Sequence, residues 1–469
     1  MDNIELYIDR ISRLANRNKE LHKEMNEIVG RYNFIQKQND KYLNLLSNFT
    51  FESDFIKKVA PRHKIKRFKR ASLLYASVEG FNKLSGHPEA DKLMDKLDEL
   101  ELLMNDIAKK YGIIKIKTVG DIYIFGGGML EENRTNPIDV ILAAFEMQQA
   151  AIEINGGENG SAFWELSIGI HTGPVLAEPT GRKSAPFRLS GDSVNFTSRL
   201  GKACEAGKIN ISAMTYELVK EFFECSFSGQ MPVKYKGIMD SYFVEGLLPH
   251  LQDLDKKGLQ NKSFGIKYSL IQFLDIQEEV LDMMEQSLPD KLFYHNIKHT
   301  IDVVTEVELI GWAEGLSEEE ILILKLAGLF HDAGHVINYD DHELHSTEIA
   351  RRMLTKYHYS DEILDKVCGL IMATKFPPAP QNILEKVICD SDLDYLGRAD
   401  FIPVSNMLYE ELKVRDLIGS FNEWNEKQLS FIKKHQYFTD TAQNLREVNK
   451  NKQIERLERL LAIESQAEK

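Results

Sequence analysis

The chain has 469 residues, 43% of them hydrophobic, which leaves room for about three soluble domains with real cores. Its net charge of -14 argues against general nucleic-acid affinity. No uninterrupted apolar run approaches the ~18 residues needed for a membrane span.

Met1-Asp2-Asn3-Ile4-Glu5 has neither the basic start nor the apolar stretch of a signal peptide. Cys204, Cys225, Cys368 and Cys389 are scattered without a Cys-x-x-Cys pair, an arrangement expected of a cytoplasmic protein with no disulfide framework or zinc ribbon. Residues 1–50 carry heptads. Ile4, Ile11, Asn18, Met25, Tyr32, Asn39 and Leu46 fall at a, and Tyr7, Leu14, Leu21, Ile28, Ile35, Tyr42 and Phe49 at d. This spacing predicts a left-handed coiled coil, and Asn18 and Asn39 at a positions select a parallel homodimer. Residues 51–70 follow as a basic linker. Its run from Arg62 to Arg70 is read as a solvated joint.

Over 71–248 the pattern turns to alternating strands and helices. Residues 71–78 read as a strand and 90–111 as a helix. A hairpin over 115–125 turns at Gly120-Asp121, and a helix at 139–154 and a strand at 163–171 come after it. Such alternation predicts a mixed sheet covered by helices. The segment resembles a class III nucleotidyl cyclase domain. The resemblance rests on Glu79-Gly80-Phe81, Lys117-Thr118-Val119-Gly120-Asp121, Ile170-His171-Thr172-Gly173-Pro174 and Gly191-Asp192-Ser193-Val194-Asn195-Phe196-Thr197-Ser198-Arg199. It implies an α/β (ferredoxin-like) fold in which Asp121 is a metal aspartate and Lys117 reads the base. Asn195 and Arg199 would stabilise the transition state from the partner protomer, and magnesium or manganese would accompany the nucleotide. Two positions depart from the family. Ser77 stands where the first metal aspartate belongs, and a hydroxyl supplies no bridging anionic oxygen. Arg188 stands where adenylyl cyclases accept from the adenine amino group, and arginine only donates. Together they imply a degenerate domain that binds nucleotide as an effector.

Residues 249–262 are polar and read as a linker, and 263–469 turn mostly helical. Helices are expected at 266–286, 294–315, 317–331, 342–356, 360–374, 382–396 and 428–461, an all-α bundle with ligands projecting inward. His295 and His299 are four apart and are expected on one helical face. His331-Asp332 ends the apolar run Ile321–Phe330, an expensive place for a charged pair unless a cation satisfies it. Asp390-Ser391-Asp392 adds carboxylates, giving a mixed nitrogen/oxygen set suited to a borderline or hard divalent ion.

Order and spacing of these motifs resemble the HD superfamily of phosphohydrolases, and Tyr294-His295-Asn296-Ile297-Lys298-His299 with His331-Asp332-Ala333-Gly334-His335 looks most like the class I cyclic-nucleotide phosphodiesterases. The resemblance implies that His299, His331, Asp332 and Asp392 hold one or two divalent ions (Mn, Mg, Fe or Zn). Asp390 is the alternative to Asp392. It further implies that His295 is the general acid and that His335, His342 and Glu343 stand behind the ligands. The family's base-clamping aromatic and glutamine have no match, and no Gly-Tyr-Pro follows the His-Asp, which argues against cyclic-di-GMP cleavage. Monophosphatase, triphosphatase and alarmone hydrolase activities stay open. The expectation is a multidomain homodimer without a membrane span or nucleic-acid partner. Its helical domain hydrolyses a phosphodiester of a nucleotide under control of the degenerate cyclase domain. The alternatives are a working cyclase whose helical domain degrades or senses the product, and a non-catalytic nucleotide-binding scaffold.

Overall fold

The computed structural model describes residues 65–80, 90–155, 164–182, 185–233, 237–253, 255 and 258–467. The coiled coil expected at 1–50 and most of the basic linker lie outside the described residues. The chain divides into two compact units, residues 1–261 and 262–469.

The first unit is a mixed eight-stranded sheet with helices. In chain order its elements are β1 Lys66–Glu79, α1 Ala90–Lys110, β2 Ile114–Val119, β3 Ile122–Gly127 and α2 Asn136–Asn155. There follow β4 Glu165–Arg182, β5 Ala185–Ser190, α3 Asp192–Lys202, β6 Ile209–Ser212, α4 Ala213–Val219, β7 Phe223–Val233 and β8 Gly237–Leu247. The strand order is β2-β3-β1-β4-β6-β8-β7, with β5 on β4. β1 lies between β3 and β4, and every residue from Ala71 to Ala76 is buried, the signature of a central strand covered on both faces. The β2–β3 hairpin turns at Gly120-Asp121 as its sequence requires. Helix α3 seats directly on the sheet. A Cβ on Gly201 would stand 2.1 Å from the Tyr75 ring, and one on Gly169 would stand 2.2 Å from the Gly201 nitrogen. This close seating leaves Asn195 and Arg199, one turn apart, on the exposed face of α3. Among the described residues of the stretch expected to be a linker, Pro249–Leu251 is a 3₁₀ turn, Gln252 bridges Gln260, and Asn261 donates to the carbonyls of His250 and Gln252.

The second unit is all helical among its described residues: α5 Lys262–Ser287, α6 Ile297–Ala313, α7 Glu318–Phe330, α8 His342–Lys356, α9 Asp361–Ala373, α10 Ile383–Asp392, α11 Phe401–Val414, α12 Phe421–Lys434 and α13 Asp440–Ala467. α7 opens with a capping box between Ser317 and Glu320, and nearly all of its remaining length is buried. A helix apolar on all sides belongs at the centre of a bundle, and α7 packs there against α5, α6, α8 and α9.

Two expectations change. The helix expected over 294–315 starts only at Ile297, because Asn296 adopts an extended conformation and its side chain accepts from the Lys298 and His299 amides. His295 therefore lies outside the helix and does not share a helical face with His299. The expected 428–461 helix is two, α12 and α13, and α11 was not expected at all.

A 3₁₀ turn, Ala333–Val336, follows α7 and presses on α8. A Cβ on Gly334 would stand 1.9 Å from the His342 carbonyl oxygen. Gly334→Ala should therefore cost about 1–3 kcal/mol in urea unfolding, because backbone rather than a flexible side chain must move.

Candidate functional site

Three helix ends meet in the second unit. His299 comes from the first turn of α6, His331-Asp332 from the end of α7 and Asp392 from the last residue of α10. The His299 Nε2 lies 3.1 Å from Asp392 Oδ1, 3.2 Å from His331 Nε2 and 3.5 Å from Asp332 Oδ2. The His331 Nε2 lies 3.3 Å from Asp332 Oδ2 and 3.5 Å from Asp392 Oδ1. Ligand atoms about 2.0–2.2 Å from one ion stand about 3–3.5 Å from each other, so His299, His331 and Asp392 have the spacing of a coordination shell, and Asp332 Oδ2 stands at the same range from both imidazoles. The buried Asp332 Oδ2 accepts no hydrogen bond, an orphan that a cation would satisfy. The residues fit a divalent ion.

Neighbours fix the donors. His331 Nδ1 donates to the Gly328 carbonyl at 2.8 Å, which turns Nε2 to the cluster. Ser346 on α8 donates to the His331 carbonyl at 2.7 Å and accepts from the Gly334 amide at 2.8 Å, clamping the turn. Burial opposes charge throughout the cluster, but the mutual attraction of its members prevails. His331 is held well above its usual range by Asp332 and Asp392, and both carboxylates are held below theirs by the imidazoles.

The other oxygen of Asp332, Oδ1, faces His342 Nε2 at 3.5 Å and His335 Nε2 at 3.9 Å. The His335 and His342 rings stack at 4.0 Å, and buried Glu343 lies 3.7 Å from His342. Burial pushes His335 down to about 3, and neither of its buried nitrogens has a hydrogen-bond partner. His295, Asp332 and His335 form a second group with metal-ligand spacing, sharing Asp332 with the first shell.

His295 is positioned by a residue that the sequence did not single out. Its Nδ1 lies 2.5 Å from Oε1 of Glu411, a fully buried side chain on α11. Glu411 Oε2 also accepts from the Tyr294 and His295 amides at 2.9 and 3.2 Å. Burial works against a charged His295, but the Glu411 bond together with the charges of Asp332, Glu411 and Asp392 raises the imidazole above its ordinary value. Glu411 lies on α11, a helix the sequence reading did not expect, and its inward phase follows only once that helix is in place.

Asp390 does not join the cluster. It accepts from the Phe438 and Thr439 amides and the Thr439 hydroxyl, at 2.7–3.1 Å, and so holds the start of α13. Burial pushes it up to about 6.

In the first unit Ser77 and Asp121 are neighbours, with Ser77 Oγ donating to Asp121 Oδ2 at 3.3 Å. The Val78 amide donates to the Asp121 carbonyl at 3.0 Å, which fixes the turn beside β1. Lys117 on β2 and Asn195 and Arg199 on α3 are exposed. Arg188 on β5 donates to Glu178 at 2.7 Å, as a donor-only side chain must.

Residues 63–246 match the family Adenylate and Guanylate cyclase catalytic domain, and residues 296–396 match the HD domain. Guanylate cyclase soluble subunit beta-2 of Homo sapiens is 29% identical over 178 residues, covering 38% of this chain and 29% of that protein. An adenylate cyclase of Mycobacterium tuberculosis is 24% identical over 234 residues, covering 50% of this chain and 52% of that protein. The chain thus spans about half or less of these relatives' length. The guanylate cyclase domain of RhGC from Catenaria anguillulae, solved in complex with GTP, is 28% identical with a TM-score of 0.36, covering 39% of this chain and 100% of that one. Among the described residues no helix is long and apolar enough to cross a membrane.

A divalent ion at about a hundred times its Kd should stabilise the metal-free chain by about 2.7 kcal/mol. Urea unfolding with and without manganese or zinc checks this, and Asp332→Ala should abolish the response.

Proposed function

On the premise that this chain joins an adenylate and guanylate cyclase-type domain to an HD domain, we propose that it is a metal-dependent phosphohydrolase acting on a phosphodiester of a nucleotide, with a 3′,5′-cyclic mononucleotide as substrate. The observation that carries this reading is the convergence of the His299 and His331 nitrogens, 3.2 Å apart, with Asp332 and Asp392 oxygens 3.1–3.5 Å from them. The cyclase-type site, in contrast, offers a serine hydrogen-bonded to its one remaining metal aspartate. His299, His331, Asp332 and Asp392 hold the ion, and His335, His342 and Glu343 stand around the far oxygen of Asp332. A bound divalent ion supplies Lewis acidity and makes water nucleophilic at neutral pH. His295 is the general acid. Glu411 engages its Nδ1, which leaves Nε2 to carry a proton to the departing sugar oxygen, and the Glu411 carboxylate favours the protonated ring.

His295→Asn should leave metal content nearly unchanged and slow cyclic-nucleotide hydrolysis by about 10²–10⁴-fold. A nitrophenyl phosphodiester needs no proton on its leaving group and should suffer far less. Equal losses on both substrates would make His295 a ligand or a structural residue.

The cyclase-type domain acts in this reading as a nucleotide sensor within a cytoplasmic homodimer joined by the parallel coiled coil at 1–50, with 51–70 and 249–262 as connecting segments. The four cysteines, free in the structure, support a reducing compartment. An effector shifts the dimer only by its differential affinity for two arrangements. Lys117→Ala with Arg199→Ala should erase any response of hydrolysis to added ATP, GTP or cyclic nucleotide while sparing the basal rate.

A second reading has support in the retained Asp121, Asn195 and Arg199 and in relatives that are themselves named cyclases. It makes the first unit a working cyclase whose product the HD domain degrades or senses. Cyclic product from ATP or GTP that disappears in Asp121→Ala would establish it over the first.

A further inference from the structure

Helix α11 delivers two polar side chains one turn apart. Glu411 is committed to His295 and two backbone amides. Arg415, at the C-terminal cap of the same helix, is not committed to any carboxylate. Its Cζ sits 3.8 Å from the centroid of the Tyr339 ring, the spacing of a stacked guanidinium. It makes no ion pair among the described residues, and its Nε is buried without an acceptor. The Tyr339 ring in turn lies 5.2 Å from the His335 ring and 6.1 Å from the His295 ring. His335 adds two more buried nitrogens without partners, on the side of Asp332 where His342 also lies.

Arg415 is a half-buried, donor-only cation whose Nε lacks an acceptor, and the neutral His335 ring beside Tyr339 can present one N–H, a pair of donors suited to an anion. The carboxylates that face this region are already engaged: Glu411 holds His295, and Asp332 faces the imidazoles. The Tyr339 ring holds the guanidinium against its face. Guanidinium planes fixed in this way suit two parallel hydrogen bonds to a phosphoryl group.

We propose that Arg415, backed by Tyr339, is a substrate-binding residue that forks onto phosphoryl oxygens of the nucleotide on the His335 side of the metal centre. This rests on the phosphohydrolase reading for its substrate, but the anion site itself does not need turnover. It assigns the recognition of negative charge to a side chain of α11, whereas the metal ligands come from α6, α7 and α10.

The test uses the full metal-loaded chain at equal metal content, with inorganic phosphate as the calorimetric probe and a 3′,5′-cyclic nucleotide as the kinetic one. Arg415→Gln should weaken phosphate about 10- to 100-fold and raise KM by a similar factor, the worth of a charge-assisted pair, with kcat changed only a few-fold. Arg415→Lys, which keeps the charge but loses the fork, should recover part of both. Unchanged phosphate affinity and KM in Arg415→Gln would overturn the proposal. So would equal losses in both variants accompanied by a fall in bound metal, which would mark Arg415 as a packing residue. If no phosphodiester is cleaved even by the unaltered chain, the phosphohydrolase reading falls. The calorimetry still decides the anion site.

Discussion

Two imidazole nitrogens 3.2 Å apart, hemmed by carboxylate oxygens at 3.1–3.5 Å, set the main constraint on the helical unit. Imidazoles and carboxylates offset one another here in a dry interior, where breaking such a set by removing one partner costs several kcal/mol. The surrounding architecture serves to hold them together. Asn296 starts α6 so that His299 falls in its first turn, and the Ser317–Glu320 box fixes where the apolar run of α7 begins. Ser346 clamps the turn at its end. A cation bound there would add its binding energy to the stability of the bundle.

The sequence made the ligands legible and left their supports obscure. His331-Asp332 stands out because a charged pair is costly at the end of an apolar run, whereas His299 and Asp392 joined it through the resemblance to the HD superfamily, with Asp390 as the alternative to Asp392. The apolar run of 321–330 also marks α7 as the centre of the bundle. Glu411 escaped notice because its burial depends on α11, whose Phe401–Val414 pattern is short and carries Pro403 in its first turn. His295 was misplaced by three residues' worth of helix: its spacing to His299 suits a helical face, but the Asn296 cap stops the helix between them. Capping is a local choice between two hydrogen-bonding schemes, and spacing alone does not record which one prevails.

The cyclase-type unit shows how little must change to alter a site inside an intact frame. Its sheet order, the Gly120-Asp121 turn and the close seating of α3 on Tyr75 all persist around Ser77. Replacing one carboxylate by a hydroxyl costs the fold nothing, because Ser77 finds a partner in Asp121 itself. The same bond that keeps the strand satisfied also occupies the remaining aspartate.

Helix α10 ends with two aspartates separated by one serine, and they face opposite ways. Residues two apart on a helix project about 200° from each other. Asp392 thus turns to the imidazoles, whereas Asp390 turns to the start of α13. Each carboxylate occupies the only phase in which its task is reachable. Adding or removing one residue within α10 would rotate both out of place at once, detaching the C-terminal helix and opening the ligand shell together. The segment between α9 and α10 bears no such burden, so natural variation in chain length should accumulate before Asn382 and stop there.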